Sequence, residues 1–343
     1  MSAGKTLLLR AGTAGGTLAA VAAFVLFPLV FSNPTTTSIA FFAVVFMVAA
    51  TAWNVFSGLS GYIALGHAVF FGAGAYTLAV AAEKLHMGAG WTPFALLPLA
   101  GGVAAVIAIP FGLIALRTRR HTFVVITIAI FFIFQLLAFN LSFTGGSSGL
   151  QTPFPLWTAV GYNQRFYYVA LAILVGTVAI AVVVRRSRLG LQLLAIRDDE
   201  DRALGLGVRT RRVKLFAFTL SAIPIGMVGA LYAYYLGQIF PQFAFDPLFD
   251  ITVALMAFFG GLGTIVGPLL GALVLESMQQ ELTLRFSTGG GIYLIAYGVL
   301  FLAVILVMPR GIVPTLRDGL GTLRARRTGR VGLPVRAPAR SRS

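Results

Sequence analysis

The sequence predicts an all-α protein that crosses a membrane many times, and two properties of its 343 residues carry the prediction. Hydrophobic residues make up 58% of the chain and charged residues only 10%, so a water-soluble fold would expose large apolar patches. Apolar runs of about 18 residues recur along the chain, and about 20 helical residues cross the hydrocarbon layer of a bilayer. We therefore predict a polytopic membrane protein of about ten transmembrane helices.

The predicted spans follow one another from near the start of the chain. They cover residues 14–32, 39–57, 62–82, 92–116, 122–140, 166–184, 215–236, 248–262, 264–281 and 291–308. The first span follows Lys5 and Arg10, as the apolar core of a signal peptide would. However, Phe31-Ser32-Asn33-Pro34 lacks the small residues that a cleavage site needs, so we interpret this span as a retained helix.

The basic residues predict the orientation of these helices. With the N-terminus in the cytoplasm, all but three of the 26 lysines and arginines lie on the cytoplasmic side, the exceptions being Lys84, Arg165 and Arg285. This positive-inside bias predicts that both termini are cytoplasmic and that the number of crossings is even. It also accounts for the net charge of +16 without nucleic acid as a partner. Residues 315–343 are basic and poor in apolar residues, which predicts a disordered cytoplasmic tail.

The chain shows no arrangement of residues that predicts a catalytic site, a metal site or a bound cofactor. Gly4-Lys5-Thr6 matches the end of a phosphate-binding loop, but that motif needs another glycine five residues before Gly4. The three histidines are far apart, and the chain contains no cysteine. Any energy taken from ATP would have to come from another subunit.

A glycine-rich stretch, residues 58–76, stands out among the apolar spans. It contains five glycines together with His67 and Tyr76, and the glycines would permit a helix break or a close helix crossing. A histidine at membrane depth is costly unless it is paired or faces water. Two interpretations of His67 therefore stay open, a place on a transport pathway and a structural hydrogen bond to a neighbouring helix.

Small residues also recur at helical spacing in two places. In lipid, such ladders let helix backbones approach closely, which predicts helix packing; a pore-lining role is the alternative. The two ladders are Gly263, Gly267 and Gly271, and Ala222, Gly226 and Ala230.

Residues 58–76 read GLSGYIALGHAVFFGAGAY, which resembles a stretch of the branched-chain amino-acid ABC transporter permeases of the LivM type. Four further segments agree in the same order: 144–150, 190–208, 259–264 followed by Gly267-Pro268, and 308–312. The resemblance covers residues 38–314 and implies a permease domain there, in a prokaryotic inner membrane. It also implies a homologous second permease subunit, two cytoplasmic ATPase subunits and an extracytoplasmic substrate-binding protein as partners.

The same resemblance implies leucine, isoleucine or valine as the substrate, with urea, short amides or aromatic acids as alternatives. Two positions depart from the family pattern. Ser148 stands where an acidic or amide residue is frequent, and Pro224 lies in a predicted helix where small residues are usual, so a kink is expected there. The residues that we place on the candidate pathway are His67, Tyr76, Gly145, Gly146 and Ser148.

The charged stretch 185–214 corresponds to the coupling loop of the family, the alternative being a solvated loop. Residues 191–204 can form one amphipathic helix, with apolar surface from Leu191, Leu194, Ala195 and the stem of Arg202. Gly205 and Gly207 are suited to end it. We expect contact with the ATPase from Ala195, Ile196, Arg197, Asp198, Asp199, Glu200, Asp201, Ala203, Leu204, Gly205, Leu206, Gly207 and Val208, with the small Ala203 at the ATPase groove.

Two other classes of protein remain as alternatives. A secondary transporter or channel would share the glycine-rich helices, but it usually carries charged residues inside the membrane, where Glu276 is the best candidate. A membrane enzyme would need clustered acids or histidines, and residues 198–201 are the one acidic cluster. These acids lie among many basic residues, which indicates paired surface charge rather than a metal site.

Overall fold

The computed structural model of the protein describes residues 21–31, 33–285, 298–299, 302 and 311–313. Twelve α-helices of these residues make the fold: α1 Val21–Val30, α2 Pro34–Trp53, α3 Ala68–Lys84, α4 Leu97–Ala115, α5 Arg120–Asn140, α6 Ala159–Arg186, α7 Arg188–Asp198, α8 Glu200–Gly205, α9 Thr210–Leu236, α10 Pro241–Ala244, α11 Pro247–Gly260 and α12 Val266–Arg285. Two short strands, β1 Leu150–Gln151 and β2 Gln238–Ile239, pair antiparallel.

Six helical segments among the described residues are long and apolar enough to cross a membrane. They are Pro34–Gly58, Thr92–Ala115, Arg120–Asn140, Ala159–Arg186, Thr210–Leu236 and Pro241–Gly260. The prediction of an all-α polytopic membrane protein is therefore confirmed. The count of about ten spans stays a prediction, because most of 291–308 and part of 14–32 lie outside the described residues. The predicted basic tail, residues 315–343, lies outside them as well.

Helix α9 lies at the centre of the bundle, packed between α3 and α4, while α2 packs against α6 and α12. The small residues on α9 make this possible. A Cβ added at Gly229 would lie 2.0 Å from the Phe71 carbonyl oxygen, and one at Gly226 would lie 2.5 Å from Ala104 Cβ. The predicted packing role of this ladder is confirmed. Helix α9 also continues through Pro224, so the expected kink does not interrupt it.

The second ladder is confirmed in part. A Cβ at Gly271 on α12 would lie 2.0 Å from the Met256 carbonyl oxygen on α11, so these two helices also touch through their backbones. Gly263, by contrast, lies in the turn between α11 and α12 with φ near +72°. It cannot join a helical ladder, because left-handed backbone ends a helix.

The glycine-rich stretch does contain a helix break. Helix α2 runs into a π-helical turn at Asn54–Gly58, and α3 begins only at Ala68, six residues later than the predicted span 62–82. Gly61 takes φ near +73° within the break. The side chain of Asp250 accepts hydrogen bonds of 3.1 and 3.2 Å from the Ala68 backbone N–H, which satisfies a donor at the start of α3.

Candidate functional site

The charged stretch folds as two short helices rather than as the single helix expected over 191–204. The backbone is extended at Asp199, and its carboxylate accepts a 3.0 Å hydrogen bond from the Arg202 N–H. Asp199 therefore ends α7 and caps α8. Aspartate competes for backbone donors within helices and favours their N-termini, which is why the helix divides here. We call residues 188–208 the coupling segment.

Of the two glycines that were predicted to end the helix, one takes the left-handed backbone that such an ending needs. Gly207 takes φ near +85°, and its N–H donates to the Leu204 carbonyl at 2.9 Å, closing the end of α8. Gly205 is the last residue of α8 itself, and its backbone is not left-handed. The prediction of a cap at Gly205 is therefore wrong, because the helix extends one residue further before it turns.

The two faces of the coupling segment also differ from the predicted ones. Leu193, Ile196 and Ala203 are buried against the rest of the protein. Ala203 is only 2% exposed, so it cannot lie at a groove on another subunit, and that expectation is wrong. The exposed apolar side chains are Leu191, Leu204 and Leu206, at 66%, 59% and 84%. We call these three the outer leucines; only Leu191 belonged to the predicted apolar face.

The buried face of the segment carries a compact charged cluster formed by Tyr62, Glu200 and Lys214. Lys214 Nζ lies 2.6 Å from Glu200 Oε1 and 4.2 Å from the centre of the Tyr62 ring. The Tyr62 hydroxyl donates to the other Glu200 oxygen. Burial by itself raises the pKa of the Glu200 carboxyl, but the hydrogen bonds from Lys214 and Tyr62 outweigh it and hold that pKa below its ordinary value. We call this set the Glu200 cluster.

Arginines complete the attachment of the segment to the membrane helices. Arg197 donates to the Gly58 carbonyl oxygen at 2.8 Å, and Arg120 at the start of α5 donates to the Ile196 carbonyl oxygen at 3.0 Å. Arg119 pairs with Asp201 at 3.1 Å, but both side chains are mostly exposed, so this pair adds little stability. The segment is therefore held to the break after α2, to α5 and to α9.

The acids of the segment border a cavity of about 330 Å³. Its lining consists of Tyr62, Arg119, Arg120, His121, Asp198, Asp199, Glu200 and Asp201. Cations face the acids across this cavity. Throughout the described part of the chain, no group of three or more histidine, aspartate or glutamate residues is placed to hold a metal ion.

His67 lies inside the bundle in a setting of aromatic rings. Its Nε2 lies 3.0 Å from Ser221 Oγ on α9, and its ring meets Phe70 and Phe218 edge-on at about 5 Å. The side chain is fully buried. This geometry is the hydrogen bond to a neighbouring helix that the structural interpretation of His67 expects.

The other pathway candidates are Tyr76, midway along α3, and residues of the turns after α5. Tyr76 stacks on Phe245 with ring centres 5.9 Å apart, and its buried hydroxyl has no hydrogen-bond partner among the described residues. Gly145 and Gly146, with φ near +73° and +54°, shape the turns after α5. Ser148 follows them and is exposed. Helix α3 contacts the turns after α5 and the strand β1 that follows them, whereas His67 lies just before the first residue of α3.

Sequence reasoning missed four residues that hold the site together. Asn54, Tyr62 and Arg120 contact the coupling segment or the turns beside it, and Lys214 is 3% exposed within the Glu200 cluster. A signal was available for Lys214, because a lysine followed directly by an apolar span is well placed to be buried beside an acid. Tyr62 and Asn54 carried no such signal.

Comparison with known proteins gives consistent matches. Residues 35–308 match the family described as branched-chain amino acid transport system / permease component. The chain is 29% identical to the high-affinity branched-chain amino acid transport system permease protein LivM of Escherichia coli K12, over 83% of this chain and 71% of that protein. It is 27% identical to the permease protein LivH of the same system and organism, over 77% and 89%.

A more distant relative serves another solute. The chain is 26% identical to the L-arabinose ABC transporter permease protein AraH of Azospirillum brasilense, over 69% of this chain and 68% of that protein. No solved structure matches.

Proposed function

The chain belongs to the family of branched-chain amino acid transport system permease components, as a multi-pass inner-membrane protein, and on that premise we propose that it imports leucine, isoleucine or valine. It acts as the permease subunit of an ATP-driven ABC importer. The names of LivM and LivH support this substrate class. Urea, short amides or other small organic solutes are alternative substrates for an importer of the same type.

The single observation that favours ATP-driven import is the two-sided coupling segment. Its outer leucines are exposed, while its inner face is tied to three membrane elements. We assign coupling to the ATPase to residues 195–201 and 203–208, with the outer leucines rather than Ala203 as the apolar contact. A short helix that binds the ATPase through an exposed apolar face, and the membrane helices through its other face, can transmit a displacement from one to the other.

The importer needs partners of defined kinds. A homologous second permease completes the pathway, as the pairing of LivM with LivH in one system suggests. Two ATPase subunits dock on the coupling segments and hydrolyse ATP, so this chain is a transport subunit and not an enzyme. A substrate-binding protein docks at the opposite face. His67, Tyr76, Gly145, Gly146 and Ser148 are the proposed pathway residues, and Tyr76 has the unpartnered hydroxyl.

The proposed topology has about ten spans with both termini in the cytoplasm. Residues 1–37 form an N-terminal segment with the first span, 38–314 the permease domain and 315–343 a cytoplasmic tail. Because the chain has no cysteine, single cysteines can report the orientation. Arg186 and Ser148 are both exposed. An impermeant thiol reagent applied to intact cells should label S148C and not R186C; the reverse result would invert the topology.

Reconstitution tests the function itself. Uptake of radioactive leucine into vesicles should require ATP, the ATPase subunits, the second permease and the binding protein together. Uptake by this subunit alone, driven by an ion gradient, would favour a secondary transporter, with the buried Glu276 as its coupling residue. Titration of the cognate binding protein with leucine, urea and acetamide identifies the cargo.

A further inference from the structure

We propose that Arg197 is a positioning residue that transmits movement of the coupling segment to two glycine turns in the membrane domain; this rests on the proposed function. The first glycine turn is Gly58–Gly61 after α2, and the second is Gly261–Thr264 between α11 and α12. Both turns meet at the Arg197 side chain.

Contact with the first turn uses the whole side chain of Arg197. A Cβ added at Gly61 would lie 3.0 Å from Arg197 Cγ, so the aliphatic stem packs directly on the glycine backbone. The guanidinium then donates to the Gly58 carbonyl oxygen at 2.8 Å. Gly58 ends the π-helical turn that follows α2, and such turns are frequent at functional sites.

The second turn lies against the same guanidinium. A Cβ at Gly263 would lie 2.6 Å from an Arg197 terminal nitrogen and 3.0 Å from the Gly58 carbonyl oxygen. The Asn54 side chain fastens this turn to the end of α2. It donates to the Thr264 carbonyl at 2.8 Å and accepts from the Gly263 N–H at 2.8 Å. A displacement of Arg197 therefore acts on α2 and on the α11–α12 turn at once.

Three of the four acids that follow Arg197 pair with other cations. Glu200 pairs with Lys214, Asp201 with Arg119, and Asp199 with Arg202, while the adjacent Asp198 is exposed and is not paired with Arg197. Among the described residues, Arg197 forms no ion pair. A cation that is fixed only by a backbone carbonyl follows the position of the main chain, and one hydrogen bond can break and re-form as the turn moves. This arrangement suits transmission of movement better than a fixed structural ion pair would.

Arg211 at the start of α9, outside the coupling segment, provides a matched control. Its guanidinium donates to the Leu113 carbonyl oxygen at 3.1 Å, and its side chain is exposed. It has the same charge and length as Arg197 and also binds a backbone carbonyl, but its described hydrogen bond reaches neither glycine turn.

The test uses the whole importer purified from membranes with its partner subunits. R197M keeps the stem that packs on Gly61 and removes the hydrogen-bond donors, R197K keeps a donor, and R211M is the control. Three quantities are measured for each: the amount of copurified ATPase, the rate of ATP hydrolysis, and substrate taken up per ATP hydrolysed.

For R197M we expect normal ATPase copurification and sustained hydrolysis, with uptake per ATP reduced about tenfold, equivalent to about 1.4 kcal/mol of lost coupling. R197K should recover most of this loss, and R211M should show none. Full coupling in R197M, loss of the ATPase from R197M, or failure of R197M to insert would each overturn the proposal. The last two outcomes would make Arg197 a docking or a structural residue.

Different results would contradict the proposed function itself rather than the role of Arg197. L204D places a charge among the outer leucines, and it should release the ATPase while leaving the contacts of Arg197 intact. If the unmodified importer moves substrate without ATP, the proposed function falls whatever the Arg197 variants do.

Discussion

The two ends of the bundle are held together by different kinds of contact. At the coupling end, long charged side chains make the connections, as in Lys214 to Glu200 at 2.6 Å. At the far end, backbone pairing and aromatic packing make them: β1 pairs with β2, and Arg165 lies 4.3 Å over the Trp157 ring. Helix α9 separates these ends by about 40 Å, given 27 residues and the rise of a helix.

The difference suggests a division of labour. Backbone ladders and stacked rings tolerate little displacement, because close-packed groups have few alternative arrangements. Side-chain hydrogen bonds and ion pairs can follow a moving helix. We therefore expect the coupling end to respond to the ATPase, and the far end to act as a fixed frame around the glycine turns at Gly145 and Gly146.

The largest effect on stability should come from breaking the Glu200 cluster. E200A leaves the Lys214 ammonium, which is 3% exposed, without its carboxylate. Removing one partner of a buried ion pair costs about 3 kcal/mol, because the remaining charge stays desolvated. The free energy of unfolding in detergent micelles, followed by circular dichroism in denaturant, would report this loss.

The double variant K214M/E200L is its control. Replacing both charges by apolar groups of similar size removes the uncompensated ion, so the loss should be about 1 kcal/mol or less. A double variant as unstable as E200A would show that packing at this position, rather than the unpaired charge, determines stability.

At the far end, G149A should lower the free energy of unfolding by a smaller amount than E200A does. Gly149 has φ near +67°, and an added Cβ would lie 2.2 Å from the Ile239 carbonyl oxygen on β2. Left-handed backbone and the displaced strand together should cost about 2 kcal/mol. G176A is the matched control, because a Cβ there would meet nothing within 4 Å. Proteolysis of the loop after β1 in purified protein should increase for G149A alone.

Comparison of these regions also shows how far the sequence could predict the molecule. The apolar runs predicted the positions of most described helices, because span length and composition are local properties. The Glu200 cluster could not be predicted in the same way. Tyr62 and Glu200 are separated by 138 positions, and Lys214 and Glu200 by 14, so only the fold brings them together.

The errors at the coupling segment have local causes. Periodicity favoured one helix over 191–204, but the Asp199 side chain captures the Arg202 N–H and starts a new helix. That change in direction turns Ala203 inward and leaves Leu204 and Leu206 exposed. A pattern of apolar residues gives no information about such a bend, so the apolar face was assigned to the wrong residues.

Alanine substitutions of the two glycines near the end of α8, Gly205 and Gly207, should have different small effects on stability. G207A places a side chain at φ near +85°, which should cost about 1 kcal/mol and weaken ATPase copurification by loosening the end of α8. G205A should be neutral or stabilise the segment by up to about 1 kcal/mol, because Gly205 is helical and a Cβ there meets nothing within 4 Å. Equal losses from both changes would contradict the assignment of the cap to Gly207.

The smallest expected effect is that of pH on the free energy of unfolding. The Glu200 cluster determines whether this free energy rises or falls with pH. The pKa of the Glu200 carboxyl is lowered in the folded protein from its ordinary value of 4.5, because the hydrogen bonds from Lys214 and Tyr62 outweigh the effect of burial. Folding then favours the ionised carboxylate, so its stabilising contribution is complete above pH 4.5 and is lost as the pH falls through the lowered pKa. The difference in unfolding free energy between the unmodified protein and E200Q should stay constant from about pH 8 to pH 5 and shrink below about pH 4. A difference that instead grows on acidification would mean that Glu200 is neutral in the folded protein and donates a proton within the cluster, and Lys214 would then need another partner.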